Sequence, residues 1–174
     1  MTETGPRTVC VFTPTYERAY ILPVLYESLV AQTSHDFVWM IVDDGSTDGT
    51  QELVRSWIER GEIAIDYVKT VNGGKPRAIN LGVSRCDSPL FFVVDSDDWL
   101  DRKALAAVLD VLREERAAGR ELDLLVTNYV YEKQGKAHKA VIRYRNVLPR
   151  GRVFGWGQVR RCRYDQYLMM HALT

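Results

Sequence analysis

Three carboxylates fall within four residues at Asp95-Ser96-Asp97-Asp98, directly after the apolar run Leu90 to Val94. Like charges this close repel one another unless a cation or hydrogen-bond donors compensate. At the carboxyl end of a strand the cluster suits an oxygen-liganded cation, Mg²⁺ or Mn²⁺. Such a cation takes one or two protein carboxylates and completes its shell with phosphates and water. The plainer alternative is helix capping, which needs one acid. Asp101 fits that role better than Asp95 or Asp97.

A second acidic turn, Asp43-Asp44-Gly45-Ser46-Thr47-Asp48-Gly49, follows another apolar run. A carboxylate there can accept the ring N–H of a base such as uracil; the alternative is a turn rich in Asx and Ser chemistry. After the first apolar run stands Pro14-Thr15-Tyr16-Glu17-Arg18. Tyr16 could pack on a base and Glu17 could hold a ribose or base polar group, against a simple proline turn. In Asn72 to Gly82 two glycines allow close backbone approach to an anion near a helix start, and Lys75 and Arg77 add positive charge. A base acceptor, cationic donors and a metal site are together what a nucleoside diphosphate requires.

The elements that must position these loops alternate. Strands are expected at Thr8 to Thr13, Phe37 to Val42, Ile63 to Val68, Leu90 to Val94, Leu122 to Tyr131 and Ala140 to Tyr144. Helices are expected at Ala19 to Gln32, with Pro23 in its first turn, and at Asp48 to Glu59, with Asp48 and Gln51 spaced as a capping box. Two more are expected at Pro76 to Val83 and Asp101 to Ala118. Continuous apolar strands alternating with helices predict an α/β fold, a mostly parallel sheet covered on both faces. Ligands of such sheets bind beyond the carboxyl ends of the strands, where the acidic loops fall.

The 174 residues fit one domain, and equal numbers of basic and acidic residues argue against a nucleic-acid partner. Arg143 to Arg163 holds seven arginines and no acid, a face for phosphates, for peripheral contact with an anionic membrane, or for solvent alone. Three scattered cysteines, Cys10, Cys86 and Cys162, show no metal spacing and point to free thiols in a reducing cytoplasm. No apolar run approaches a membrane span.

With these residues in hand, the chain resembles the family 2 glycosyltransferases, which have the GT-A fold. VCVFTPTYERAYILPVLYESLVAQT looks like the family's opening strand, loop and first helix; MIVDDGSTDGT is close to D-D-G-S-x-D-x-T. NGGKPRAINLGV resembles G-x-x-x-A-x-N-x-G, and FFVVDSDDWL resembles the D-x-D metal motif. The match runs from about Val9 to Leu105, so residues 1–174 are expected to be one GT-A domain: a nucleotide-binding part over about 8–105 and an incomplete acceptor part over about 106–174.

The resemblance implies a nucleotide-diphosphate sugar donor, usually a UDP-sugar, and a divalent metal, Mn²⁺ or Mg²⁺. Pro14, Thr15, Tyr16 and Glu17 would line the nucleoside pocket and Asp44 would bind the base. Lys75 would lie near base or diphosphate, Asp95 and Ser96 at the ribose or sugar side, and Asp97, supported by Asp95, on the metal. Glu17 departs from the family, which often has Asn there. Transfer would invert the anomeric centre and end on a saccharide, lipid-linked or other acceptor hydroxyl, in cell-surface glycan synthesis at the inner face of the membrane.

The family's base commonly lies in a later E-D pair. The tail GWGQVRRCRYDQYLMMHALT has one acid, Asp165, a weak candidate. A truncated form is therefore expected, binding donor but transferring poorly and associating through its apolar tail as a homodimer. A sugar-1-phosphate nucleotidyltransferase shares the nucleotide logic but would place a glycine-rich loop with an arginine after the first strand, and Pro14 to Arg18 has no glycine. A receiver domain could use Asp43-Asp44, Asp95, Thr127 and Lys133, but its paired acids follow its first strand, not its second. A dinucleotide-binding domain would need a G-x-G-x-x-G after a strand, and no such motif follows one here.

Overall fold

The computed structural model describes residues 7–127, 131–133, 136–138 and 170–173. The chain divides into two compact units, Met1–Leu124 with His171–Thr174, and Leu125–Met170. In the first, β1 (Val9–Thr15), β2 (Phe37–Asp43), β3 (Ile65–Lys69) and β4 (Leu90–Val93) alternate with α1 (Leu22–Val30), α2 (Thr50–Arg60), α3 (Lys75–Arg85) and α4 (Ala104–Ala117). β5 (Leu124–Val126) runs from the first unit into the second, where β6 (Tyr131–Lys133) and β7 (Lys136–His138) form an antiparallel hairpin. β8 (Met170–Leu173) brings the chain back to pair antiparallel with β4.

The sheet of the first unit runs β3-β2-β1-β4-β8. β1 pairs in parallel with both β2 and β4, and β2 with β3. The expected mostly parallel sheet flanked by helices is therefore found. Its order reverses direction at β1, so a crevice is expected beyond the carboxyl ends of β1 and β4.

Continuous burial explains why the strands read as apolar runs: Val9, Cys10, Val11 and Phe12 are all fully buried, as are Trp39, Ile41 and Val42. Helix α4 buries Leu105, Val108, Leu109 and Leu112, the spacing of one helical face. Phe12 stacks on Phe91 with ring centroids 4.9 Å apart, beneath α3. A methyl at Gly82 would overlap the Phe12 ring, so this helix approaches β1 closely only because residue 82 has no side chain. Gly82 and Ala78 therefore serve packing, although both belong to the segment that sequence reading assigns to anion approach.

Several expected boundaries shift. β1 extends two residues beyond Thr13, pairing Pro14 with Val42 and Thr15 with Asp43. Those two residues are thus strand, not loop. Pro23 does lie in the first turn of α1. The capping box at α2 does not form: its N-cap is Gly49 at φ 88° with no side-chain cap bond, and Gln51 accepts a bond from Lys69 instead. Asp48 accepts the backbone N–H and hydroxyl of Thr50, closing a turn one step earlier. Asp101 likewise accepts the N–H of Lys103, two residues ahead, on the approach to α4. The strand expected at Ala140 to Tyr144, Asp165 and the apolar tail from Phe154 to Tyr167 lie outside the described residues. Among the described residues no helix is long and apolar enough to cross a membrane.

Candidate functional site

Four loops meet at the carboxyl end of the sheet, joined in series by hydrogen bonds. The loop after β1 meets the loop after β2 through Glu17. The Glu17 N–H donates to Ser46 Oγ at 2.9 Å, and its Oε1 accepts the Thr47 N–H at 2.7 Å and the Thr47 hydroxyl at 3.0 Å. A second tie runs from the Ala19 N–H to Asp48 Oδ2 at 2.9 Å. The loop after β2 meets the Gly73-Gly74 turn through Asp44, whose two carboxylate oxygens accept the N–H of Gly73 at 2.8 Å and of Gly74 at 2.7 Å. That turn leads into α3, where Lys75 Nζ reaches Asp95 Oδ1 at 2.7 Å, in the loop after β4. All four segments singled out from the sequence are thus brought together.

The individual carboxylates differ sharply. Asp43 is fully buried, with Oδ1 accepting the Ser46 N–H at 2.8 Å and Oδ2 the Tyr67 hydroxyl at 2.6 Å. It is an internal brace. Desolvation, reinforced by the bond to the Asp43 carboxylate and its charge, pushes the Tyr67 phenol up. Asp44 is 7% exposed and holds the glycine turn, yet each oxygen keeps a further lone pair. Gly45 is required beside it: at φ 87° a side chain would be strained, and its Cβ would meet the Asn72 backbone nitrogen at 2.9 Å.

In the loop after β4, Ser96 is buried while Asp97 and Asp98 are exposed. Asp97 has no hydrogen-bond or ion-pair partner among the described residues. The Asp98 carboxyl is raised by desolvation first, then by the Asp95 and Asp97 charges, with Lys75 opposing. Among the described residues no group of three or more His, Cys, Asp or Glu side chains could alone hold a metal ion. The donor set would suit a hard cation in another way: one exposed aspartate beside a second one shared with a lysine, a partial shell that phosphate oxygens and water would have to complete.

Tyr16 is 49% exposed at the rim, whereas Pro14 and Thr15 are buried and the Thr15 hydroxyl has no hydrogen-bond partner among the described residues. Sequence reasoning missed what two residues of the loop after β2 do. Ser46 and Thr47 read as turn residues, and only the fold shows that they receive Glu17. Arg77 folds across Gly73, where an added Cβ would sit 2.7 Å from its Cδ. Asp165 lies outside the described residues, so no base is placed.

The family model "Glycosyl transferase family 2" matches residues 10–158. The chain belongs to that family, and its fold is the GT-A fold of glycosyltransferases. A curated relative, the glycosyltransferase GlyA of Streptococcus pneumoniae, is 28% identical over 121 residues, covering 70% of this chain and 16% of that protein. The poly(ribitol-phosphate) beta-N-acetylglucosaminyltransferase TarS of Staphylococcus aureus is 29% identical over 105 residues, 58% of this chain and 18% of the relative. Among solved structures, TarS 1–349 with UDP superposes with a TM-score of 0.62 at 25% identity, over 69% of this chain and 35% of that one. A mannosyltransferase from Pyrobaculum calidifontis with GDP-Man and Mn²⁺ gives 0.56 at 29% identity, over 63% of this chain and 33% of that one. The chain spans less than a fifth of the GlyA and TarS relatives it matches.

Proposed function

We propose that this chain is the donor-binding part of a metal-dependent, inverting glycosyltransferase that uses a UDP-sugar. The observation that carries the reading is the series Glu17–Thr47, Asp44–Gly73/Gly74 and Lys75–Asp95, which assembles four loops at the sheet's switch point. In this reading Tyr16 packs on the base, Asp44 accepts the uracil N3–H on a free lone pair, and Lys75 faces the diphosphate. Pro14, Thr15 and Ser96 shape the pocket wall. Asp97 holds Mn²⁺ or Mg²⁺ with support from Asp95, and the ion would supply Lewis-acid stabilisation of the leaving diphosphate. The acceptor hydroxyl oxygen attacks the anomeric carbon, the bond to the diphosphate breaks, and the hydroxyl proton passes to a base.

The relatives support this chemistry in kind. TarS has been solved with UDP and with UDP-GlcNAc, and the Pyrobaculum enzyme with GDP-Man and Mn²⁺. An acceptor hydroxyl on a cell-surface saccharide or lipid-linked glycan, met at the cytoplasmic face of the membrane, follows from the same reading. Guanine also presents a ring N–H donor, so a thermal-shift panel of UDP, GDP and CDP, each with and without Mn²⁺, tests base and metal together. The reading expects the largest rise with UDP plus Mn²⁺. No rise with any nucleotide would overturn it.

A further inference from the structure

We infer that Glu17 is a positioning residue that latches two loops together, and that it does not contact the nucleotide. The role deepens the nucleotide-binding reading above and rests on it for its functional consequence. Glu17 sits at φ 53°, alone among the described non-glycine residues in having a positive φ. Glutamate enters that left-handed region reluctantly, whereas Asn, Asp and Gly do so readily. The conformation persists only where the surroundings over-determine it.

Here they do. The backbone N–H of Glu17 is taken by Ser46 Oγ, and its side chain turns to the same loop, accepting both the N–H and the hydroxyl of Thr47. Three bonds from one residue therefore fix the loop after β1 against the loop after β2. The residue just before it, Tyr16, carries the exposed ring at the rim. The residue three before Thr47, Asp44, carries the buried carboxylate on the glycine turn. The Glu17 latch sets the distance between these two side chains before any ligand arrives. Two donors from the single residue Thr47 converge on Oε1, which turns the Glu17 carboxylate toward the loop after β2.

The test has a nucleotide-independent arm and a nucleotide arm. In the first, amide hydrogen exchange at Thr47 is followed without ligand in wild type, Glu17→Ala and Glu17→Gln. The latch predicts exchange faster by about ten-fold or more in Glu17→Ala, with protection kept in Glu17→Gln, whose amide oxygen still accepts. Unchanged exchange in Glu17→Ala overturns the latch. In the second, UDP and 2′,3′-dideoxy-UDP are titrated into the same proteins. The latch predicts that Glu17→Ala weakens both nucleotides by the same factor, about five- to twenty-fold, with the melting temperature nearly unchanged and Glu17→Gln close to wild type. A penalty that vanishes for the dideoxy nucleotide would make Glu17 a ribose ligand and overturn the inference. If wild type itself fails to bind UDP, the nucleotide reading fails, while the exchange arm still decides the latch.

Discussion

The two aspartate-rich turns look alike in sequence and behave differently in the fold. From the last residue of β2 onward, Asp43, Asp44 and Asp48 each accept at least two hydrogen bonds from their own surroundings. After β4, Asp95 meets a single lysine, and Asp97 and Asp98 stand exposed beside it. The first turn spends its carboxylates on holding loops in place. The second keeps negative charge near solvent, where a cation is the natural counterpart. An acidic motif at a strand end can therefore brace the fold or stand clear of it, and the hydrogen bonds around it tell the two apart.

The sharpest way to break this contrast is to truncate one acid from each turn. Asp43→Ala leaves the Ser46 N–H and the Tyr67 hydroxyl without their acceptor and should cost about 2–4 kcal/mol in chemical denaturation. Asp97→Ala removes an exposed side chain and should stay within about 0.5 kcal/mol of wild type. Equal losses would erase the distinction between the two turns.

Asp44 lies between the two extremes, holding the glycine turn and facing the proposed base. UDP should bind more tightly than CDP by about 1–3 kcal/mol, because cytosine has no N–H at that ring position and leaves a buried acceptor unpaired. Equal affinities in calorimetry would leave Asp44 a purely structural acid like Asp43.

Lys75→Ala breaks an ion pair whose partners are 54% and 43% exposed, so the stability change should stay below about 1 kcal/mol. The same change should weaken UDP binding more than uridine binding, since only the diphosphate carries the charge. Uridine and UDP weakened alike would remove Lys75 from the diphosphate.

The smallest effect concerns pH. Burial works to raise the Asp48 carboxyl, but bonds from the Thr50 hydroxyl and the backbone N–H of Ala19 and Thr50 outweigh it and lower it on balance. A depressed carboxyl contributes stability that is present above its unfolded value and lost as pH falls through its folded value. The stability gap between wild type and Asp48→Asn should thus shrink as pH drops below the ordinary aspartate range. A gap independent of pH would contradict the assignment.

Much of this was legible in the sequence, for physical reasons. Strands buried on both faces read as unbroken apolar runs, so β1, β2 and β4 were placed within two residues at each end. The four loops were legible because their glycines and acids interrupt those runs. What each acid does was not legible, because partners such as Tyr67 and Gly73 lie 24 and 29 residues away from the carboxylates they meet. The capping box at Asp48 and Gln51 failed for the same reason: the side chain of Gln51 found Lys69 across the sheet edge. The role of Gly82 was hidden because its neighbour, Phe12, is seventy positions earlier.

We propose that the carboxyl end of this sheet binds a nucleoside diphosphate through a metal held by Asp97. Titration calorimetry of UDP, with Mn²⁺ and with chelator, in wild type and Asp97→Ala tests it most directly. Mn²⁺ should tighten wild-type binding by about ten-fold or more, with no such gain in Asp97→Ala at unchanged melting temperature. A Mn²⁺ gain of equal size in both proteins would contradict it.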